Sequence, residues 1–164
     1  MAYTIYDASI PPLIHMLGGL SNILSKGEAH GGIDPAEARL APDMLPLKAQ
    51  IYMATDSAKG CGARLAGVEN PKFEDVETTY PELKARVAKT IAFLKGLDPK
   101  AFDGAETKQV VLKFPNVTLE FVGSDYVGKF VLPNVYFHIT TAYAILRGRG
   151  VALGKPDYLG GAQH

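Results

Sequence analysis

Tryptophan is absent from the 164-residue chain, and cysteine occurs once, at Cys61. A lone cysteine cannot close an intramolecular disulfide, so the sequence asks for no oxidising compartment and a cytoplasmic setting is expected. Net charge is missing as well, because 17 Lys+Arg balance 17 Asp+Glu. Without a cationic surplus the chain lacks the sequence-independent attraction to phosphate, which argues against a nucleic-acid partner. Uninterrupted apolar runs are only a few residues long, far below the ~20 that span a bilayer, so no membrane insertion is expected. The opening stretch from Met1 to Asp7 has neither a basic nor an apolar region of the kind that makes a secretory signal. Gly-x-Gly-x-x-Gly, Walker A and Gly-x-Ser-x-Gly patterns are all lacking, which removes the common nucleotide and hydrolase signatures.

What is present is an ordinary globular composition, 47% hydrophobic and 21% charged, expected to form a single domain over residues 1–164. A chain of this size buries roughly 70% of its unfolded surface and needs no metal to hold its core. A metal would serve chemistry. Ile10, Leu13, Ile14, Leu17, Leu20 and Leu24 follow helical spacing from about Asp7 to Lys26, with Ser9 as cap and Pro11 and Pro12 in the first turn. Asp34 and Pro35 open a short helix through Leu40. Pro42 opens the longest helix, where Met44, Leu47, Ile51, Ala54, Ala58, Cys61 and Leu65 keep the period to Gly67. An acidic surface loop spans Val68 to Thr78. Thr79 and Glu82 then stand in a capping-box relation ahead of a helix that ends near Gly96.

Between Gly104 and Gly123 the period becomes two: Val110, Leu112 and Phe114, a turn at Pro115 and Asn116, then Val117, Leu119 and Phe121. An isolated hairpin is marginal in water, so it must lay its apolar face on the helices or on another chain. Helical spacing returns at Ser124, Pro133 marks a break, and Val135, Ile139, Ala142 and Leu146 define the last helix up to Gly148. A Gly-rich tail from Val151 to His164 is expected to run irregularly over the surface. The fold class is therefore mainly all-α, a four-helix bundle with a small β-hairpin inserted before the last helix.

Bundle chemistry is built from polar residues beside the apolar stripes. On the second helix these are Asp43 and Gln50; on the last they are Asn134, His138 and Thr141, at i, i+4 and i+7. His138 is expected to be partly buried, either bonded to a backbone carbonyl or to a carboxylate such as Asp43, or acting as a metal ligand or acid/base. His15 falls opposite its stripe, His30 sits at a Gly-rich loop, and His164 is the last residue. No His-x3-His pair exists, position 142 being Ala, so a three-histidine site is not expected; a His138/Asp43 site completed by water or His15 is the alternative. Cys61 reads as a small core residue, Gly18 and Gly19 as a close helix approach, and the aromatics Tyr126, Phe130, Tyr136, Phe137 and Tyr143 as core or interface.

The segments Arg39-Leu40-Ala41-Pro42-Asp43-Met44, Pro71-Lys72-Phe73-Glu74-Asp75 and Leu132-Pro133-Asn134-Val135-Tyr136-Phe137-His138 can be taken together. With Thr141 to Arg147 and Gly154 to Gly160, they resemble an uncharacterised bacterial family in the DinB/YfiT-like superfamily. The resemblance implies a four-helix bundle, commonly a homodimer. In the wider superfamily it implies a divalent metal (Zn, Ni or Fe) held by a second-helix histidine and a His-x3-His pair on the last helix. Some members act as metal-dependent transferases of small thiols such as bacillithiol or mycothiol. Only His138 carries over; Asp43 is the nearest polar residue on the second helix, and Ala142 stands at the pair position.

Three functions follow as expectations. The first is a non-enzymatic or stress-associated DinB-like bundle with a degenerate metal site. The second is a thiol transferase or hydrolase-like metalloenzyme using an altered His138/Asp43 site. The third is a small-ligand module in which His138, Asn134 and Gln50 orient a molecule bound in an apolar pocket.

Overall fold

In the computed structural model, which describes residues 2–160, the first helix starts earlier than periodicity predicts. The reason is a local hydrogen-bond exchange. Thr4 accepts from the Asp7 amide at 3.2 Å while the Asp7 carboxylate accepts from the Thr4 amide at 2.9 Å, closing a capping box that starts α1 (Ile5–His30). Ser9 therefore lies inside α1 and donates to the Ile5 carbonyl at 2.6 Å instead of capping. Pro11 and Pro12 also fall inside the helix. Pro11 brings no N–H to the Asp7 carbonyl, and the Tyr3 hydroxyl donates to that oxygen at 3.2 Å.

The expected 34–40 helix is only a turn, with the Ala36 amide donating to Asp34 Oδ1 at 2.8 Å. Helix α2 (Leu47–Ala66) begins five residues later than Pro42, because Pro46 biases Leu45 away from helical backbone and Pro42 to Leu45 form turns instead. No side chain caps α2. Its first amides are satisfied by the preceding turn: Leu47 donates to the Ala38 carbonyl at 2.8 Å and Lys48 to the Pro35 carbonyl at 2.9 Å. Gly67, left-handed at φ 71°, ends the helix as expected. Helix α3 (Tyr80–Lys95) carries the predicted Thr79/Glu82 box, and its hydrogen bonds hold the Glu82 carboxyl below the usual range.

Strands β1 (Gln109–Phe114) and β2 (Val117–Val122) form an antiparallel hairpin about the predicted turn, with Val110 opposite Phe121 and Leu112 opposite Leu119. Val110 and Leu112 are buried, so the hairpin lays its apolar face on the bundle. Pro133 does not break the chain. A helical turn at Gly123–Asp125 runs into a π-helical segment, Tyr126–Val131, and directly into α4 (Leu132–Gly148). Widening the turn accommodates a proline that cannot donate to the carbonyl four residues back.

The helices follow the spatial order α1, α3, α2, α4, with α4 closing on α1 and the α1/α2 diagonal crossing the core. Leu13, Leu17, Leu20, Ile51, Leu83, Val87 and Ile139 are among the fully buried residues of that core. The tail up to Gly160 is more ordered than its composition suggests. Val151 and Leu153 are buried, a short helix α5 (Lys155–Tyr158) follows, and Asp157 pairs with Lys26 at 2.7 Å. A Cβ at Gly19 would lie 2.7 Å from the Tyr158 carbonyl, whereas one at Gly18 would meet nothing. The close approach read from the glycine pair thus belongs to Gly19 alone, and its partner is the tail. Residues 161–164, with His164, lie outside the described residues.

Candidate functional site

Helices α2 and α4 pack side by side, and this contact brings Gln50 and His138 together. His138 Nδ1 lies 2.8 Å from Gln50 Oε1. The amide's orientation follows from its other end, where Gln50 Nε2 donates to the Leu45 carbonyl at 3.0 Å. An amide nitrogen must face that carbonyl, so an oxygen faces the ring, and Nδ1 carries the proton. Nε2 is then the atom with the free lone pair. Burial pushes the imidazole below its ordinary value of 6.5, which keeps the ring neutral at physiological pH. Phe137 stands edge-on to it, with ring centroids 5.2 Å apart.

The remaining predicted residues do not join this pair. Thr141 is buried and donates to the Phe137 carbonyl at 2.7 Å, a bond internal to α4. Asn134, one turn before His138, is half-buried and lines a groove with Ser57 and Tyr126. Asp43 sits exposed in the turn ahead of α2 and makes no hydrogen bond or ion pair among the described residues. Ala142 is fully buried. His15 lies exposed on α1, where its Nε2 meets the Leu159 carbonyl at 2.8 Å, and it serves the tail instead of His138. Among the described residues no three His, Cys, Asp or Glu side chains converge as metal ligands. Cys61 is buried, and burial pushes its thiol up to about 12, which leaves it unreactive as a nucleophile.

A second polar cluster lies apart from the stripe-edge residues. Arg86 of α3 has a fully buried side chain, and its guanidinium meets Asp56 at 2.9 Å, Asp75 at 3.0 Å and Glu77 at 3.2 Å. Its Nε donates to Thr55 at 2.8 Å and its Nη1 to the Glu74 carbonyl at 3.1 Å, while Tyr52 and Phe73 pack against its face. Lys59, also buried, bonds the Pro71 carbonyl and lies 4.5 Å from the Phe73 ring centroid. The acidic 68–78 loop is thereby fastened to α2 and α3. Two signals pointed this way: an acidic loop in need of a cation, and an arginine at i+3 from Leu83, on the apolar stripe.

Helix order and the hairpin inserted before the last long helix define the class, a hairpin-bearing four-helix bundle. The chain is similar to the crystal structure of a DinB family member protein from Shewanella denitrificans, with 37% identity and a TM-score of 0.83; the match covers 97% of this chain and 93% of that one. A domain of unknown function, DUF1993, matches residues 5–159, and the chain belongs to that family. No protein with a curated description matches it.

Proposed function

We propose that this is a DinB-like bundle protein with a degenerate metal site and no metal-dependent transferase or hydrolase activity. One observation carries the reading. Both ends of the Gln50 amide are committed, to the Leu45 carbonyl and to His138, at a place where a metal would need convergent anionic or imidazole donors. Asp43 stands in the exposed turn and Ala142 offers a methyl group, so one imidazole nitrogen and one occupied amide are a poor donor set for zinc, nickel or iron. Elemental analysis of protein purified without an affinity tag, beside a His138→Ala variant, tests this. Trace metal at the same level in both is expected. A stoichiometric ion that disappears in the variant would overturn the reading and restore the altered-site thiol transferase.

The same reading takes the chain as a homodimer. In its support, Phe137 (55% exposed) and Leu40 (51%) present apolar surface on one shallow face with Pro133, Tyr136 and Ala144. Sedimentation should give twice the 17.6 kDa chain mass at micromolar concentration, and a Phe137→Glu substitution should return it to the single value. A wild-type mass of 17.6 kDa would refute the dimer.

A further inference from the structure

A groove of about 180 Å³ runs between α2, the hairpin and the π-helical segment, apart from the His138–Gln50 pair. We propose that it binds a small organic carboxylate carrying an aromatic or branched apolar group. The first ground is Arg64. It is half-buried, yet no carboxylate pairs with it among the described residues, in contrast to the three on Arg86. Its Nη1 donates to the Tyr126 hydroxyl at 3.1 Å. A Cβ at position 60 would stand 2.2 Å from that nitrogen, so Gly60 is what lets the guanidinium lie along α2. A partly desolvated guanidinium held in a fixed place without a counter-charge is a ready partner for a planar carboxylate.

Other unused donors surround it. Ser57 lines the groove, and its buried Oγ has no hydrogen-bond partner, so a rotation about χ1 turns an uncommitted hydroxyl to the ligand. Asn134 lines the groove with its amide unbonded among the described residues. Tyr126 accepts from Arg64 and stays protonated, burial pushing the phenol up to about 12, so its own hydrogen remains to be given. Asp56 at the rim is paired with Arg86 at 2.9 Å and Lys59 at 3.5 Å and makes no ion pair with Arg64.

The walls select the rest of the molecule. Phe114, Phe130 and Tyr126 line the groove, the last two stacked with centroids 6.1 Å apart and 15° between planes. Inorganic phosphate or sulfate would leave these rings without a partner, whereas a phenyl or isobutyl group covers them. The volume is below the ~300–1,000 Å³ of drug-sized pockets, so the ligand is small.

Phenylacetate and 4-methylpentanoate are suitable probes, with phenylacetamide as the uncharged isostere, followed by amide chemical shifts of the full chain. Saturable shifts centred on residues 57, 60, 126 and 134 are expected for the acids, with phenylacetamide about tenfold weaker or worse. Arg64→Met should weaken the acids by about the same factor. Asn134→Leu, at a half-buried site, should weaken them less and serves if the arginine variant unfolds. No saturable shift at millimolar acid, equal binding of the amide, or unchanged binding in folded variants would each overturn the proposal.

Discussion

Two of the polar clusters on helix α2 are solved in opposite ways. Toward α3, the Asp56 carboxylate and the Thr55 hydroxyl help surround the buried Arg86 guanidinium with acceptors. Toward α4, Gln50 meets His138 through one hydrogen bond between neutral groups. Buried charge here fastens a loop, because only multiple charge-assisted bonds offset the desolvation of an arginine. The neutral pair has no such cost to offset, and it occupies the contact between α2 and α4. Burial of charge at Arg86 is thus a marker of architecture.

The sharpest way to break that contrast is Arg86→Met. It leaves Glu77 largely buried without its cation, while the half-exposed Asp56 and Asp75 turn to water, and should cost about 3 kcal/mol in urea unfolding, with the 68–78 loop becoming protease-sensitive. Arg86→Lys should recover little, since an ammonium cannot meet carboxylates and Thr55 along one planar fork. A loss below about 1 kcal/mol for Arg86→Met would mean the cluster is ornamental. Smaller is the effect of Gln50→Leu, which unpairs the Leu45 carbonyl and His138 Nδ1 and should cost about 1–3 kcal/mol. An equal loss from the two variants would erase the distinction between them.

The smallest expected effect is on pH dependence. His138 is held below its ordinary value of 6.5 by burial, so the unfolded chain takes up a proton first. Stability should therefore be full above pH 6.5 and decline as pH falls below it, a slope that His138→Gln should flatten in thermal unfolding between pH 7.5 and 5. The carboxyl of Asp157, held low chiefly by Lys26, gives up its share only at more acidic pH.

Much of the fold could be read from the chain because it rests on repeating local rules. The apolar stripes, the Thr79/Glu82 box, the Gly67 stop and the hairpin turn each depend on residues close in sequence. Misreadings cluster at prolines. Pro11 and Pro133 read as a helix start and a break, yet they are accommodated by things periodicity does not register, a Tyr3 hydroxyl and a widened turn. At the candidate site, the stripe-edge position of His138 was legible, but its partner was not. Gln50 and His138 are joined by tertiary packing, and Asp43, at the stripe edge in an unbroken period, falls in the turn because α2 starts at Leu47. Arg86 escaped notice because its partners come from α2 and a loop without periodicity.

The π-helical segment acts on the angular phase of the last helix. Gly123 pins its start, since a Cβ there would stand 1.8 Å from the Ala105 carbonyl oxygen. From that anchor to His138, each residue added in ordinary α geometry would turn the imidazole by about 100° and carry it off Gln50. A wide turn spreads the same chain over more residues per revolution, so it takes up surplus length as girth instead of rotation. Tyr126–Val131 is therefore a vernier between hairpin and helix, and the aim of His138 is set there, well before the chain reaches it.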